Sequence, residues 1–471
     1  MSSIPQVSEA MKKILTERAS DLERPTGFVQ RSTAQLRGAI FAQAVVFGLL
    51  ANPQASYSQL RHVIGSLGVH VSRQAVEQRF DSHAVALVRQ LFEEATGQVI
   101  QSEGRIPDLL ARFAGVFLQD GTRISLPDSL AEQWPGSGGG NPPTPQGCLR
   151  VQVRLNYASG QWQGVWVQQG CEGEATGEAV DTPLPEGALW IVDSGYLHLA
   201  RMRQMEKTGR FFLLPPRADL VFLDPSGVRC SLKELLSKQT GEWVDLDVKV
   251  GASEQLPVRL VAHRLSPKHV QERSKRRCQQ HSSPPKGAQR PNATSHTART
   301  RAGKRDHHGH RARRGHRTSP KQMELLDWTI LMTNAPREKL SCEEVLVMAR
   351  CRWQIELLWK WGKQIVKVDT WRSEKPERIV TEIFAKWLGM LITQWITLLD
   401  CWHDPRHSTV KAHQVVQWMA PVLALSLAGV LAVECAVERS AAAMRRGCQV
   451  QPRRKKPATF QLLEAPQLIK T

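Results

Sequence analysis

The chain has 471 residues, 41% of them apolar, which suits two or three domains around at least one large core and excludes a chain too polar to fold. Lysine and arginine exceed aspartate and glutamate by 19 charges, an excess that points to a polyanionic partner, nucleic acid before a membrane surface. The nine cysteines are scattered with no Cys-x-x-Cys pair, so neither a zinc ribbon nor a disulfide framework is indicated, and a reducing, intracellular compartment is expected.

Residues 1 to about 105 read as a helical N-terminal domain. Met1–Asp21 carries charges throughout and no apolar h-region, so no secretory leader is expected. Ala34–Leu50 is a long apolar helical pattern. Ser56 opens a second helix, Gly65 and Gly68 mark a turn, and Ser72 caps a third helix over Arg73–Phe80. Arg73 and Arg79 on that helix fit a DNA-contacting helix-turn-helix, and the same pattern fits a small packing bundle equally well.

From about 106 to 217 the pattern changes to strands. Gly115–Gln119 is an apolar run ending at Asp120. Leu149–Tyr157 and Trp162–Val167 alternate around an Ala158-Ser159-Gly160 turn and predict a hairpin. Ala175–Val180 reads as a short helix. Ala188–Val192 is a buried strand ending at Asp193, Ser194 opens a helix through about Lys207, and Phe211–Leu214 is the next strand. This order predicts a mixed α/β sheet with an antiparallel hairpin and parallel crossovers. Both aspartates are expected at carboxyl ends of buried strands, where open α/β sheets place their sites.

Residues 218–325 read as a β-rich insertion, with strands at Trp243–Val250 and Pro257–His263. Within it, 268–320 holds Lys275-Arg276-Arg277, His307-His308-Gly309-His310 and the basic run Arg311–Arg317 with almost no apolar residues, and is expected to be disordered. Its histidines lack regular metal-ligand spacing. The abrupt break in composition also fits a shifted reading frame, which translation of the gene in all frames decides.

Order resumes over 326–400 with a strand at Asp327–Asn334. Ser341 caps a helix leading into Ala349–Lys363, read as one helix that carries Arg352, Glu356 and Lys363 near one face with Lys360 close by. The region 401–471 reads as helical with a basic tail at Arg453–Lys456, which either touches phosphate or is simply solvated. Phe384–Trp402 and Pro421–Val437 are apolar, but internal charges or an opening proline fit buried helices better than membrane spans.

Three carboxylates from two strand ends and a helix suit a two-metal phosphoryl-transfer site. Mg²⁺ or Mn²⁺ prefers oxygen ligands, and two ions roughly 3.5–4 Å apart clamp an in-line displacement at phosphorus. Arg352 and Lys363 would hold neighbouring phosphates.

At these residues the chain resembles the DDE transposases of the IS-four insertion-sequence family. Arg352, Glu356 and Lys363 match the spacing of that family's Tyr-Arg-Glu-Lys signature, with Ala349 at the tyrosine position. Phe117–Thr122 resembles its first-aspartate strand, and Val192–Tyr196 its second-aspartate motif. The resemblance implies an RNase H-like fold with a β insertion before the glutamate, and two divalent metals on Asp120, Asp193 and Glu356. It also implies Arg352 and Lys363 on terminal phosphates, beside which Lys360 is a further candidate DNA contact, and a homodimer assembled on double-stranded DNA ends in the cytoplasm. The implied reaction is nicking followed by attack of the freed 3′-hydroxyl on target DNA. Two alternatives remain open: an inactive end-binding relic, and a nuclease that cuts without strand transfer.

Overall fold

The computed structural model describes residues 4–100, 104–137, 146–224, 226–282, 325–402, 404, 406–450 and 457–469, with backbone alone for 276–282. These residues form two compact units, one built from the chain up to Pro215 together with Leu331 onward, the other from Pro216–Ile330.

The first unit begins with helices. α1 (Ile4–Lys12) runs through a wider turn into Ala19–Leu22, and α2 (Gly38–Ala51) is buried along nearly its whole length. α3 (Tyr57–Ser66) starts with a capping box in which Ser56 and Gln59 satisfy each other's free amides. α4 (Arg73–Gln78) is capped by Ser72, and α5 (Ser82–Thr96) by Asp81. The turn between α3 and α4 carries Gly68 at φ +88°, a conformation that favours glycine.

β1 (Val116–Leu126), β2 (Gly147–Asn156) and β3 (Gln161–Gln169) form an antiparallel meander. β4 (Leu189–Ile191) pairs parallel with β1, and β5 (Phe211–Leu214) parallel with β4 across the helix α6 (Leu199–Lys207). The expected mixed α/β sheet is therefore present. Two local expectations need correction. β1 does not stop at Asp120; it continues to Leu126 because β2 supplies backbone partners beyond the point where β4 ends. The residues after Asp193 form a short 3-10 turn, Ser194–Tyr196, and the α-helix starts only at Leu199.

The second unit holds β6 (Phe222–Leu223), β7 (Arg229–Cys230), α7 (Leu232–Ser237), β8 (Trp243–Val250) and β9 (Leu256–Arg264), with strand order β9-β8-β6-β7. The helix α8 (Pro267–Ser282) follows, where disorder is expected from the lack of apolar residues. Arg273 explains part of its order: Nη1 donates to the carbonyls of Leu326 and Trp328, at 3.4 and 2.8 Å. The rest of the basic stretch, 283–320 with its histidines, and the tail 453–456 lie outside the described residues.

β10 (Trp328–Thr333) leads back, and its Met332 and Thr333 pair antiparallel with β5, so the first unit's sheet runs β3-β2-β1-β4-β5-β10. α9 (Cys342–Cys351) follows with a Ser341/Glu344 capping box, then α10 (Trp353–Trp361). The segment expected as one helix is thus broken at Arg352, although that residue keeps helical dihedrals of −53° and −30°. α11 (Pro376–Thr397) is the one helix among the described residues long and apolar enough to cross a membrane, and its apolar window is wholly buried inside the fold. α12 (Thr409–Leu427) contains Pro421 in its interior and α13 (Val433–Gly447) follows it, so Pro421–Val437 is the join of two helices rather than one. α14 (Thr459–Glu464) ends the set.

His413 on α12 lies in this helical core, its ring stacked 3.7 Å from that of Trp361 on α10, with neither ring nitrogen hydrogen-bonded among the described residues. Burial drives its pKa from 6.5 down to about 3. The folded value lies below the unfolded one, so between those values the unfolded chain binds more protons. This contribution to stability is therefore lost as pH falls below 6.5. Urea melts at pH 6.5 and pH 5 should differ by about 2 kcal/mol more in the wild type than in a His413→Phe variant. Equal acid sensitivity of the two proteins would refute the assignment.

Candidate active site

The parallel register brings the two aspartates together. The last β1–β4 pair is Leu118 with Ile191, and two residues further along each strand stand Asp120 and Asp193. Adjacent strands lie about 4.8 Å apart, so the two residues leave the parallel ladder side by side. Asp120 Oδ1 accepts the Gly121 amide at 2.9 Å, and Oδ2 accepts the indole N–H of Trp359 at 3.0 Å. Burial raises the Asp120 pKa to about 6. The Asp193 charge adds to the rise, while the Gly121 amide, the Arg352 charge and the Trp359 indole oppose it. Asp193 Oδ1 accepts the Gly195 amide at 2.6 Å and so caps the 3-10 turn that follows.

Glu356 lies in the first turn of α10, one turn before Trp359. The helix therefore lays its Glu356–Trp359 face against β1, and Trp359 is fixed from behind by an edge contact with Trp387 of α11 at 5.7 Å. Arg352 Nη2 donates to Glu356 Oε1 at 2.5 Å, confirming the shared face expected for these two residues. Lys363 sits in the wide turn after α10, with Nζ 3.5 Å from the Arg123 carbonyl of β1, and Lys360 is exposed. Arg73 on α4 is exposed beside Glu77, whereas Arg79 donates to the Phe28 carbonyl at 2.6 Å and lies over that ring. One arginine of the helix-turn-helix pattern thus points outward and the other braces the fold.

Beneath the aspartates lies a buried polar layer that periodicity alone does not single out. Gln119 Oε1 accepts from Arg154 Nε at 2.9 Å and from the Trp190 indole at 3.2 Å, and Tyr196 donates its hydroxyl to Gln152 Oε1 at 2.9 Å. The usable signal is polar residues recurring at every second position of otherwise apolar strands: Gln119 on β1, and Arg150, Gln152 and Arg154 on β2. Buried networks of this kind, when their members are satisfied, fix one arrangement of the residues above them. Trp359 was also missed as a site residue, because a tryptophan in an apolar helix reads as core.

As the side chains stand, no three His, Cys, Asp or Glu among the described residues form a ready cage for a metal ion. Asp120 and Asp193 nonetheless fit a hard cation: they are adjacent carboxylates, one of them destabilised as an anion by burial and by the other. Glu356 itself is paired with Arg352, and its helix reaches Asp120 through Trp359, three residues further on.

A sequence model of the family "Transposase DDE domain" matches residues 111–392. The chain belongs to the DDE transposases. The match begins just before β1 and ends within α11, so it takes in all three acids. The chain is similar to the transposase for insertion sequence element IS231F of Bacillus thuringiensis subsp. israelensis, at 24% identity over 413 residues, covering 82% of this chain and 79% of that protein. It is also similar to the transposase for insertion sequence element IS1151 of Clostridium perfringens, at 19% identity over 348 residues, 69% of this chain and 66% of that protein. Among solved structures, a piggyBac transposase synaptic complex with hairpin DNA aligns over 98% of this chain and 89% of its own at 9% identity, with a TM-score of 0.47. The expectation of an insertion-sequence transposase, drawn from the three acidic motifs, is met by the family and by the relatives' names.

Proposed function

We propose that this transposase binds the ends of its insertion sequence and cuts and joins DNA at Asp120, Asp193 and Glu356, on an RNase H-like core. The observation that carries the reading is the meeting of separate parts of the chain: parallel strands bring the aspartates side by side, and Trp359, one turn from Glu356, bonds Asp120. Asp120 and Asp193 would hold Mg²⁺ or Mn²⁺, two ions in the full site, with Glu356 completing the set once it leaves Arg352. Bound ions of this class activate an attacking oxygen and stabilise a leaving one at phosphorus. Arg352, released from Glu356, has the planar fork to grip a phosphate in two bonds, and Lys360 and Lys363 extend the cation row along the backbone. Trp359 holds Asp120 in place for this. The partners are double-stranded DNA, at the element's ends and at the target, and a second copy of the chain, with the complex residing on the nucleoid in the cytoplasm. Arg73 on the exposed face of α4 fits contact with the ends. The domain plan is a helical end-binding region over 1–105, a catalytic core over 106–217 and 326–400 split by the 218–325 insertion, and a helical region over 401–471.

Incubating the protein with a supercoiled plasmid bearing the element's ends tests this. Nicks leaving 3′-hydroxyls at the ends, dependent on Mg²⁺ or Mn²⁺ and followed by joining to target DNA, are the expected result. Ala349 at the signature's tyrosine position favours a second reading, an end-binding protein that does not cut. Binding without metal-dependent nicks would establish that reading instead, and nicks without joining would establish a nuclease.

Gly195 gives a sharper check. A Cβ there would lie 2.9 Å from Asp193 Oδ1, so a methyl group pushes that carboxylate aside while its neighbours can adjust. Gly195→Ala should fold normally and cut on the order of 100-fold more slowly, the effect of misplacing a reacting group by about 1 Å. Unchanged nicking would mean that the position of Asp193 does not matter to the chemistry.

A further inference from the structure

The loop after β3 carries a carboxylate that the three-acid reading does not use. Glu174 Oε1 stands 2.6 Å from Nη1 of Arg150, and Arg150 is 1% exposed. That guanidinium is poorly served otherwise: neither its Nε nor its Nη1 makes a hydrogen bond among the described residues, so the Glu174 contact is an ion pair only. A buried cation held mainly by one carboxylate is expensive unless well paired, and here the pair fixes Glu174 in place. The loop itself is pinned on both sides of Glu174, by Arg201 donating to the Ala175 carbonyl at 3.0 Å and by the Gln169 amide donating to Glu172 at 3.1 Å.

The other oxygen of Glu174 points at the site. Glu174 Oε2 lies 3.2 Å from the point where a Cβ on Gly195 would sit, and Asp193 Oδ1 lies 2.9 Å from the same point. No donor among the described residues meets Oε2. The buried Tyr196 phenol, raised mainly by burial, is raised further by Asp120, Glu174 and Asp193, so the three acids surround one side chain. Two carboxylate oxygens gathered near one point beside a glycine, one carboxylate paired with a buried arginine, leave a place that a cation would satisfy.

We propose that Glu174, anchored by Arg150, is a fourth carboxylate of the divalent-cation site, acting on the Asp193 side directly or through the ion's water. This rests on the cation reading of Asp120, Asp193 and Glu356. Arg150 orients Glu174, and Glu174 in turn orients the ion relative to Asp193. Residues in this supporting role alter metal affinity about 10- to 100-fold when removed.

The test is Mn²⁺ titration of the full-length protein, followed by electron paramagnetic resonance of the free ion, with thermal melts as a fold control. Glu174→Gln should weaken Mn²⁺ binding about tenfold and Asp193→Asn should weaken it at least as much. If Glu174→Gln unfolds by exposing the Arg150 charge, the double variant Arg150→Met/Glu174→Gln removes both partners together and should show the same weakening. Wild-type Mn²⁺ affinity in the Glu174 variants, with loss in Asp193→Asn, overturns the role of Glu174 and leaves the three-acid site standing. Wild-type affinity in all of them overturns both.

Discussion

Glu356→Gln should abolish nicking at the element's ends while leaving DNA binding within about twofold of wild type. Glutamine keeps the shape and still accepts from Arg352, so α10 should hold its place against β1. What it loses is the anionic oxygen. An ion at a phosphoryl-transfer site is worth several kcal/mol of transition-state stabilisation, so a fall of about a thousandfold or more is expected in the cutting rate. Gel-shift titration and a nicking time course on the same DNA separate the two quantities. A variant that cuts at the wild-type rate would remove Glu356 from the chemistry and with it the carboxylate-and-cation account.

The largest effect on stability is expected on α11, at a distance from the acids. Arg378, Glu382 and Lys386 follow one another at four-residue spacing, and none is more than 2% exposed. Arg378 Nε donates to Glu382 Oε1 at 2.6 Å, and Lys386 Nζ is 3.5 Å from Oε2. Arg378 also donates to the Ala55 carbonyl at 2.6 Å and lies 3.9 Å from the Tyr57 ring centre at the start of α3. Lys386 reaches the carbonyls of Lys367 and Thr370, in the segment that leaves α10 and its wide turn. Burial lowers the Lys386 pKa, and Glu382 opposes the drop. Glu382→Ala would leave two buried cations sharing no anion, which costs about 3–5 kcal/mol, a large part of the 5–15 kcal/mol of a typical domain. Replacing all three by Met or Leu of matching size should recover most of that loss. Urea unfolding of the single and triple variants measures it. A single-variant loss under about 1 kcal/mol would show that the triad is solvated in solution.

Much of the core was legible because its signals are local. The alternation of Val151, Val153 and Leu155 against Trp162–Val167 fixed the hairpin, and Ser56 and Ser72 marked their helix starts through caps that the structure contains. The aspartates were legible as polar ends of apolar runs, and the Arg352–Glu356 spacing as a helical pair. What stayed hidden depends on partners distant in sequence. The apolar run of β1 reads as ending at Asp120, yet β2 supplies hydrogen bonds that carry the strand on to Leu126. Pro421 reads as a helix start, but α12 carries it in its interior. The start of the basic stretch, 268–282, looks too polar to order, and the carbonyls that receive Arg273 lie more than fifty residues away. Glu174 sits in a loop with no pattern, and only the fold sets it beside Asp193.

The most direct measurement is anomalous diffraction from crystals of the protein grown or soaked with Mn²⁺. The account predicts a manganese peak at about 2.0–2.3 Å from carboxylate oxygens of both Asp120 and Asp193, with Glu356 turned away from Arg352 toward it. Manganese bound only elsewhere, with the Asp120 and Asp193 carboxylates free of it, would contradict the proposal that these acids hold the ions that cut DNA.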